Sequence, residues 1–103
     1  MSVIRIRDIN EGMERFRDDG NAVLLDVRMR GEYAAGRIPG SINLPLPCLE
    51  DAEEIIPGKD VPVYVYCLSG GRSGQAALML EEMGYGCIFD IGGISDDEGE
   101  LEM

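Results

Sequence analysis

Histidine and tryptophan are absent from this chain of 103 residues, and cysteine occurs only three times. Without histidine there is no Cys–His protease arrangement, and without a Cys-x-x-Cys pair the usual zinc patterns are missing as well. No metal and no cofactor is expected. The cysteines at 48, 67 and 87 are odd in number and widely spaced, which argues against a disulfide framework and for a reducing cytoplasm. No apolar run approaches the length of a membrane span, and Met1–Arg7 has no long apolar stretch of the kind a secretory signal carries. Positive charge is scarce too. Nine Lys and Arg stand against twenty Asp and Glu, a formal charge of -11. That excludes the electrostatic footprint of a non-specific nucleic-acid binder. It does not exclude a small anion held locally by backbone N–H groups and one arginine.

Apolar residues make up 45% of the chain and charged ones 28%, enough for one folded domain with a single modest core. The pattern predicts a short strand at Val3–Ile6, then a helix capped by Asp8 or Asn10 with Ile9, Met13 and Phe16 on its apolar face. The unbroken apolar run Ala22–Val27 predicts a strand covered on both faces, as in a parallel sheet. A short helical piece at Glu32–Ala34 closes at Gly36. Pro and Gly then flank a two- or three-residue strand near Ile42. A weak acidic helix is expected at Leu49–Ile55, and a strong strand at Val61–Tyr66. The helix Arg72–Met83 presents Ala76, Ala77, Leu80 and Met83, and Cys87–Ile91 forms the last strand. Alternating strands and helices point to an α/β unit, expected over residues 1–94. Residues 95–103 hold five acids and no base and read as a solvent-facing acidic tail, with an acidic contact surface as the alternative.

The segment CLSGGRS (67–73) carries the chemistry. Cys67 stands at the carboxyl end of a strand, where ligands gather in open α/β sheets. Gly70 and Gly71 give the backbone freedom to turn successive N–H groups toward one point, and the helix that follows adds unpaired N–H groups and the positive end of its dipole. Arg72 supplies a permanent charge and a fork of donors. An arginine at a helix start works against the dipole, which makes sense if an anion lies before it. Such a cradle favours a thiolate, and hence a nucleophile, with no histidine required. Two phosphate-binding alternatives fail on spacing: Gly-Gly-Arg-Ser lacks the P-loop pattern and its lysine, and no Gly-x-Gly-x-x-Gly follows the first strand.

Four separated pieces, DVR (26–28), EYAAGRIPGSINLP (32–45), CLSGGRS (67–73) and DIGGI (90–94), resemble in their order the rhodanese, or sulfurtransferase, family, and together they span nearly the whole chain. The resemblance implies a three-layer α/β/α fold with a mostly parallel five-stranded sheet. It implies that Cys67 takes a sulfane sulfur from thiosulfate or another donor as a persulfide and yields it to cyanide, a thiol or a protein cysteine. Leu68, Ser69, Gly70, Gly71 and Ser73 would then form the nest around the sulfur beside Arg72, and Asp26 and Arg28 would brace the site. Four residues separate Cys67 from Arg72. Cysteine phosphatases of related fold place five there, so the loop length favours sulfur transfer over phosphate chemistry.

This sequence departs from the family pattern at several points. Arg37 stands where relatives often carry histidine, and Ser41 where alanine is usual. Leu68 and Ser69 leave the loop without the extra cation often found in efficient thiosulfate enzymes. After Gly92-Gly93 the chain runs into the acidic tail rather than a further helix, which would thin a pocket wall or invite a partner to cover it. A protein-binding module of the same fold with little turnover is therefore the rival reading. Cys48 reads as structural, or as a resolving thiol if it approaches Cys67, and Cys87 reads as a core residue. Tyr64 and Tyr66 share one strand face and should pack against a helix.

Overall fold

A computed structural model of the protein describes residues 3–103. Met1 and Ser2, which begin both the expected domain and the stretch read for a signal, lie outside the described residues.

Five strands form one sheet: β1 (Val3–Arg5), β2 (Val23–Asp26), β3 (Ile42–Asn43), β4 (Val63–Cys67) and β5 (Ile88–Gly93). Their spatial order is β1-β5-β4-β2-β3, and every pairing is parallel. The helices α1 (Ile9–Arg17), α2 (Arg30–Ala35), α3 (Ala52–Ile55) and α4 (Gly71–Glu82) connect them. β4 occupies the centre and is buried along its whole length, as its run of β-branched and aromatic residues requires.

Strand alternation divides the core in two. Val63, Val65 and Cys67 join Leu25, Val27 and Ile88 on one face, under Leu49, Ala52 and Ile56 and the Ala76, Ala77 and Leu80 stripe of α4. Tyr64 and Tyr66 join Leu24, Phe89 and Ile91 on the other, under Ile9 and Met13 of α1. Helices thus cover both faces, giving three layers. Tyr64 stacks on Phe89 at 4.5 Å between ring centroids and meets Phe16 edge-on at 5.4 Å. The expected stripes of α1 and α4 are the ones that pack.

Several boundaries differ from the sequence expectation. The helix expected at Leu49–Ile55 is α-helical only over Ala52–Ile55; its first residues belong to a 3-10 turn, Leu46–Asp51, with Pro47 near its start. Helix α4 begins at Gly71, one residue early, because Gly70 takes the left-handed φ of +107° and serves as its N-cap. Strand β5 runs on through the glycine pair to Gly93. Its register against β4 jumps from Val65–Asp90 to Tyr66–Gly92, a bulge that skips Ile91.

The acidic C-terminal stretch is exposed, yet it follows the body. A 3-10 turn at Ile94–Asp96 leads off β5. Asn10 then holds it from both sides, donating from Nδ2 to the Asp96 carbonyl at 3.0 Å and accepting from the Glu98 N–H at 2.8 Å. Arg37 and Glu102 exchange two backbone hydrogen bonds, of 2.9 and 2.8 Å, and form an ion pair at 3.1 Å. No helix among the described residues is long and apolar enough to cross a membrane.

Candidate active site

Residue 67 ends β4 on the face covered by α4, so its side chain points into the space beneath the loop that joins them. Cys67 is only 1% exposed, whereas Leu68, Ser69 and Gly71 around it are open to solvent. The chain turns back at Gly70, and the Gly70 N–H comes to 2.9 Å from Cys67 Sγ. The twelve-residue helix α4 starts at the next residue, so its free N–H groups and positive dipole end lie at this loop. One N–H donor therefore reaches the sulfur, at the turn from which α4 starts.

Arg72 is not a free charge at the loop. Its Nη1 and Nη2 donate to the two carboxylate oxygens of Glu32 at 2.6 and 2.9 Å. This paired hydrogen bond is the main cause that raises the Arg72 pKa. It also holds the Glu32 carboxyl down at about 2, against desolvation and with help from the Met29 N–H. That N–H donates to Glu32 Oε1 at 3.0 Å, so Glu32 caps α2 and anchors the arginine together.

The residues expected to form the nest do not all face the sulfur. Ser73 is fully buried, and its Oγ lies 3.0 Å from the Gly70 carbonyl and 2.7 Å from Asp90 Oδ1. It braces the loop from below. Asp90, itself buried, also accepts from the Gly92 N–H at 3.2 Å and faces Arg5 at 3.5 Å. Gly93 packs directly under the loop, where a Cβ would stand 2.5 Å from the Leu68 carbonyl oxygen and 2.6 Å from Ser69 Cα. Only glycine fits there.

Asp26 and Arg28 form a buried, paired contact in which Arg28 Nε and Nη2 donate to the carboxylate at 2.8 to 3.1 Å. Arg28 Nη2 also donates to the Gly36 carbonyl at 2.6 Å. The two residues brace the turn from β2 into α2, one step removed from the cysteine. That turn in turn carries Glu32. A further polar cluster follows: the Ile38 N–H donates to the Tyr66 hydroxyl at 3.2 Å, and that hydroxyl lies 3.1 Å from Ser41 Oγ. Burial pushes the Tyr66 hydroxyl pKa far up, so it stays neutral.

Glu32 and Asp90 escaped the sequence reading as site residues, although both fell within the quoted motifs. Asp90 left a signal: it is one acid inside an apolar strand, as Asp26 is at the end of another. Glu32 left a weaker one, three residues beyond Met29 at a helix start. Cys48 and Cys87 are half-buried and unbridged, packed against opposite core clusters.

Two cavities flank the loop. One of about 380 Å³ lies on the β1 side, between Arg5, Arg7, Ser69 and Gly92. The other, about 420 Å³, lies on the α2 side against Leu68, Glu32, Ile94 and Leu101.

The chain as a whole is similar to known proteins. A model of the rhodanese-like domain matches residues 10–98. A sulfurtransferase of Allochromatium vinosum is 38% identical over 80 residues, covering 78% of this chain and 74% of that protein. The thiosulfate sulfurtransferase PspE of Escherichia coli is 38% identical over 73 residues, covering 70% of each. Among solved structures, a rhodanese with anions from E. coli superposes with a TM-score of 0.73 at 35% identity, over 79% of this chain and 96% of that one.

Proposed function

The chain belongs to the rhodanese-like domain family of sulfurtransferases, and from that membership we propose that it transfers a sulfane sulfur through a persulfide on Cys67. The observation that carries the reading is the Gly70 N–H set 2.9 Å from Cys67 Sγ at the start of α4.

In the first half-reaction the Cys67 thiolate attacks the outer sulfur of the donor. A new S–S bond forms to Cys67 while the donor's own S–S bond breaks, and the leaving group departs with that electron pair. Sulfite leaves from thiosulfate; a thiolate leaves from a persulfide. In the second half-reaction an acceptor nucleophile, such as cyanide, a thiol or a protein cysteine, attacks the terminal sulfur and Cys67 leaves as the thiolate. No net charge is gained in either step. Backbone N–H groups and the α4 dipole stabilise the anion at Cys67 and at its outer sulfur. Arg72 strengthens that field while Glu32 fixes its position. A loop of four residues between Cys67 and Arg72 suits one added sulfur better than a phosphate. The three unbridged cysteines fit work in a reducing cytoplasm.

Intact mass after brief exposure to thiosulfate, or to a small persulfide, tests this. A gain of one sulfur atom, removable by cyanide and absent from Cys67→Ala, is the expected result. A folded, reduced protein that gains no sulfur from either donor would refute the persulfide and leave the fold as a binding module.

A further inference from the structure

The cavity on the α2 side of the loop has a wall made by the C-terminal stretch. Resting on the Cys67 persulfide reading, we infer that residues 95–102 form a specificity strap that fits the site to the sulfur-bearing cysteine of a basic polypeptide and disfavours small dianions.

The strap is fastened to the reactive loop itself, because the Ser95 N–H donates to the Leu68 carbonyl at 3.1 Å. Its far end is tied by the double backbone pairing of Arg37 with Glu102. Between these ties Asp97 and Leu101 line the cavity opposite Leu68. Leu68 is 45% exposed and Leu101 46% exposed, so two apolar side chains face solvent at this cavity, one of them the residue that follows Cys67. A polypeptide can cover them. Thiosulfate has no apolar group with which to do so.

Charge points the same way. Each guanidinium around this cavity already has a carboxylate: Arg28 with Asp26, Arg72 with Glu32, and Arg37 with Glu102. Arg28, the basic residue in the lining, is only 5% exposed. A dianion entering this cavity meets matched arginines and Asp97; Glu98 and Glu100 follow on the same exposed stretch and act from further off, Glu100 bordering the neighbouring cavity beside α1. A lysine or arginine beside the donor cysteine meets those acids favourably. The chemistry is the proposed one. The terminal sulfur of the peptide persulfide bonds to Cys67, the peptide S–S bond breaks, and the peptide thiolate leaves with the electron pair.

The test uses three donors: two synthetic peptides carrying a cysteine persulfide, identical except for Lys or Glu on both sides of the cysteine, and thiosulfate. The readout is the rate at which Cys67 gains one sulfur by mass at low salt. For the native chain the Lys peptide should exceed the Glu peptide by about tenfold, as a few screened charges at short range allow. In the full-length variant Asp97→Asn, Glu98→Gln, Glu100→Gln the ratio should fall to about twofold and the thiosulfate rate should rise. A chain ending at Asp96 should lose the same discrimination and should also react more slowly with the Lys peptide, having lost Leu101. The triple variant keeps Leu101 and the Arg37–Glu102 tie, so it decides the matter even if the shortened chain fails to fold. Equal rates for both peptides in the native chain, or a preference that survives the triple variant, would overturn the strap and leave the persulfide intact. No sulfur on Cys67 from any donor would instead overturn the persulfide reading.

Discussion

Replacing Gly93 with alanine drives a methyl group into the underside of the cysteine loop, and the size of the disturbance follows from the geometry. The new Cβ would lie 2.5 Å from the Leu68 carbonyl oxygen, 2.6 Å from Ser69 Cα and 2.9 Å from the Leu68 carbonyl carbon. Ordinary contact begins at 3.4 Å, so the oxygen must retreat by 3.4 − 2.5 = 0.9 Å. All three atoms are backbone, and no side chain can rotate out of the way. Strand β5 is held on both sides by β1 and β4, so the loop yields instead. Its movement alters the 2.9 Å contact from the Gly70 N–H to Cys67 and the 3.1 Å tie from Ser95 to Leu68. Overpacking of this kind costs about 1–3 kcal/mol, or a fall in Tm of roughly 5–15 °C for a domain this small. Misplacing a reacting group by ~1 Å can cost about a hundredfold in rate. Persulfide formation on Cys67 should therefore slow by roughly tenfold to a hundredfold, measured by quenched-flow mass analysis at a temperature where the variant is fully folded. Gly20→Ala is the control, since nothing lies within 4 Å of a Cβ there, and it should change neither quantity. A Gly93→Ala protein with native Tm and a rate within about twofold of native would refute the claim that Gly93 positions the loop.

Two further substitutions separate the supports of the site. Glu32→Gln keeps an oxygen for the Met29 N–H but removes the charge opposite Arg72, and should cost about 1 kcal/mol near neutral pH, given a pair this exposed. The Glu32 pKa is depressed in the folded state. Its contribution is thus complete above the ordinary 4.5 and is lost as pH falls through about 2, so thermal melts across that window should drop less steeply for Glu32→Gln than for the native chain. An identical pH slope in both proteins would show that the pair adds nothing. Ser73→Ala removes the hydroxyl beside Asp90 and the Gly70 carbonyl, leaving a buried carboxylate short of one partner. A loss of about 1–3 kcal/mol in urea denaturation is expected, with a slower gain of sulfur by Cys67. An unchanged midpoint would mean that water replaces the hydroxyl without cost.

Local patterns carried most of what the sequence determined. The unbroken apolar run Ala22–Val27 marked β2 as a covered strand, Val61–Tyr66 read as a second strong strand, and helical spacing marked the faces that α1 and α4 pack, because each signal is contained within a few neighbouring residues. Cys67, the two glycines and the helix start are contiguous, so the turn that carries the cysteine into α4 was legible for the same reason. Tertiary structure decided everything that joins distant segments. Glu32 and Arg72 are 40 residues apart, Ser73 and Asp90 are 17 apart, and Arg37 meets Glu102 across 65. These meetings depend on the order β1-β5-β4-β2-β3 and on the bulge that sets Gly92 and Gly93 against Tyr66 and Cys67. A chain read from end to end shows an arginine at a helix start and an acidic terminus. Only strand order and register show that the arginine is already paired and that the terminus borders the Cys67 loop.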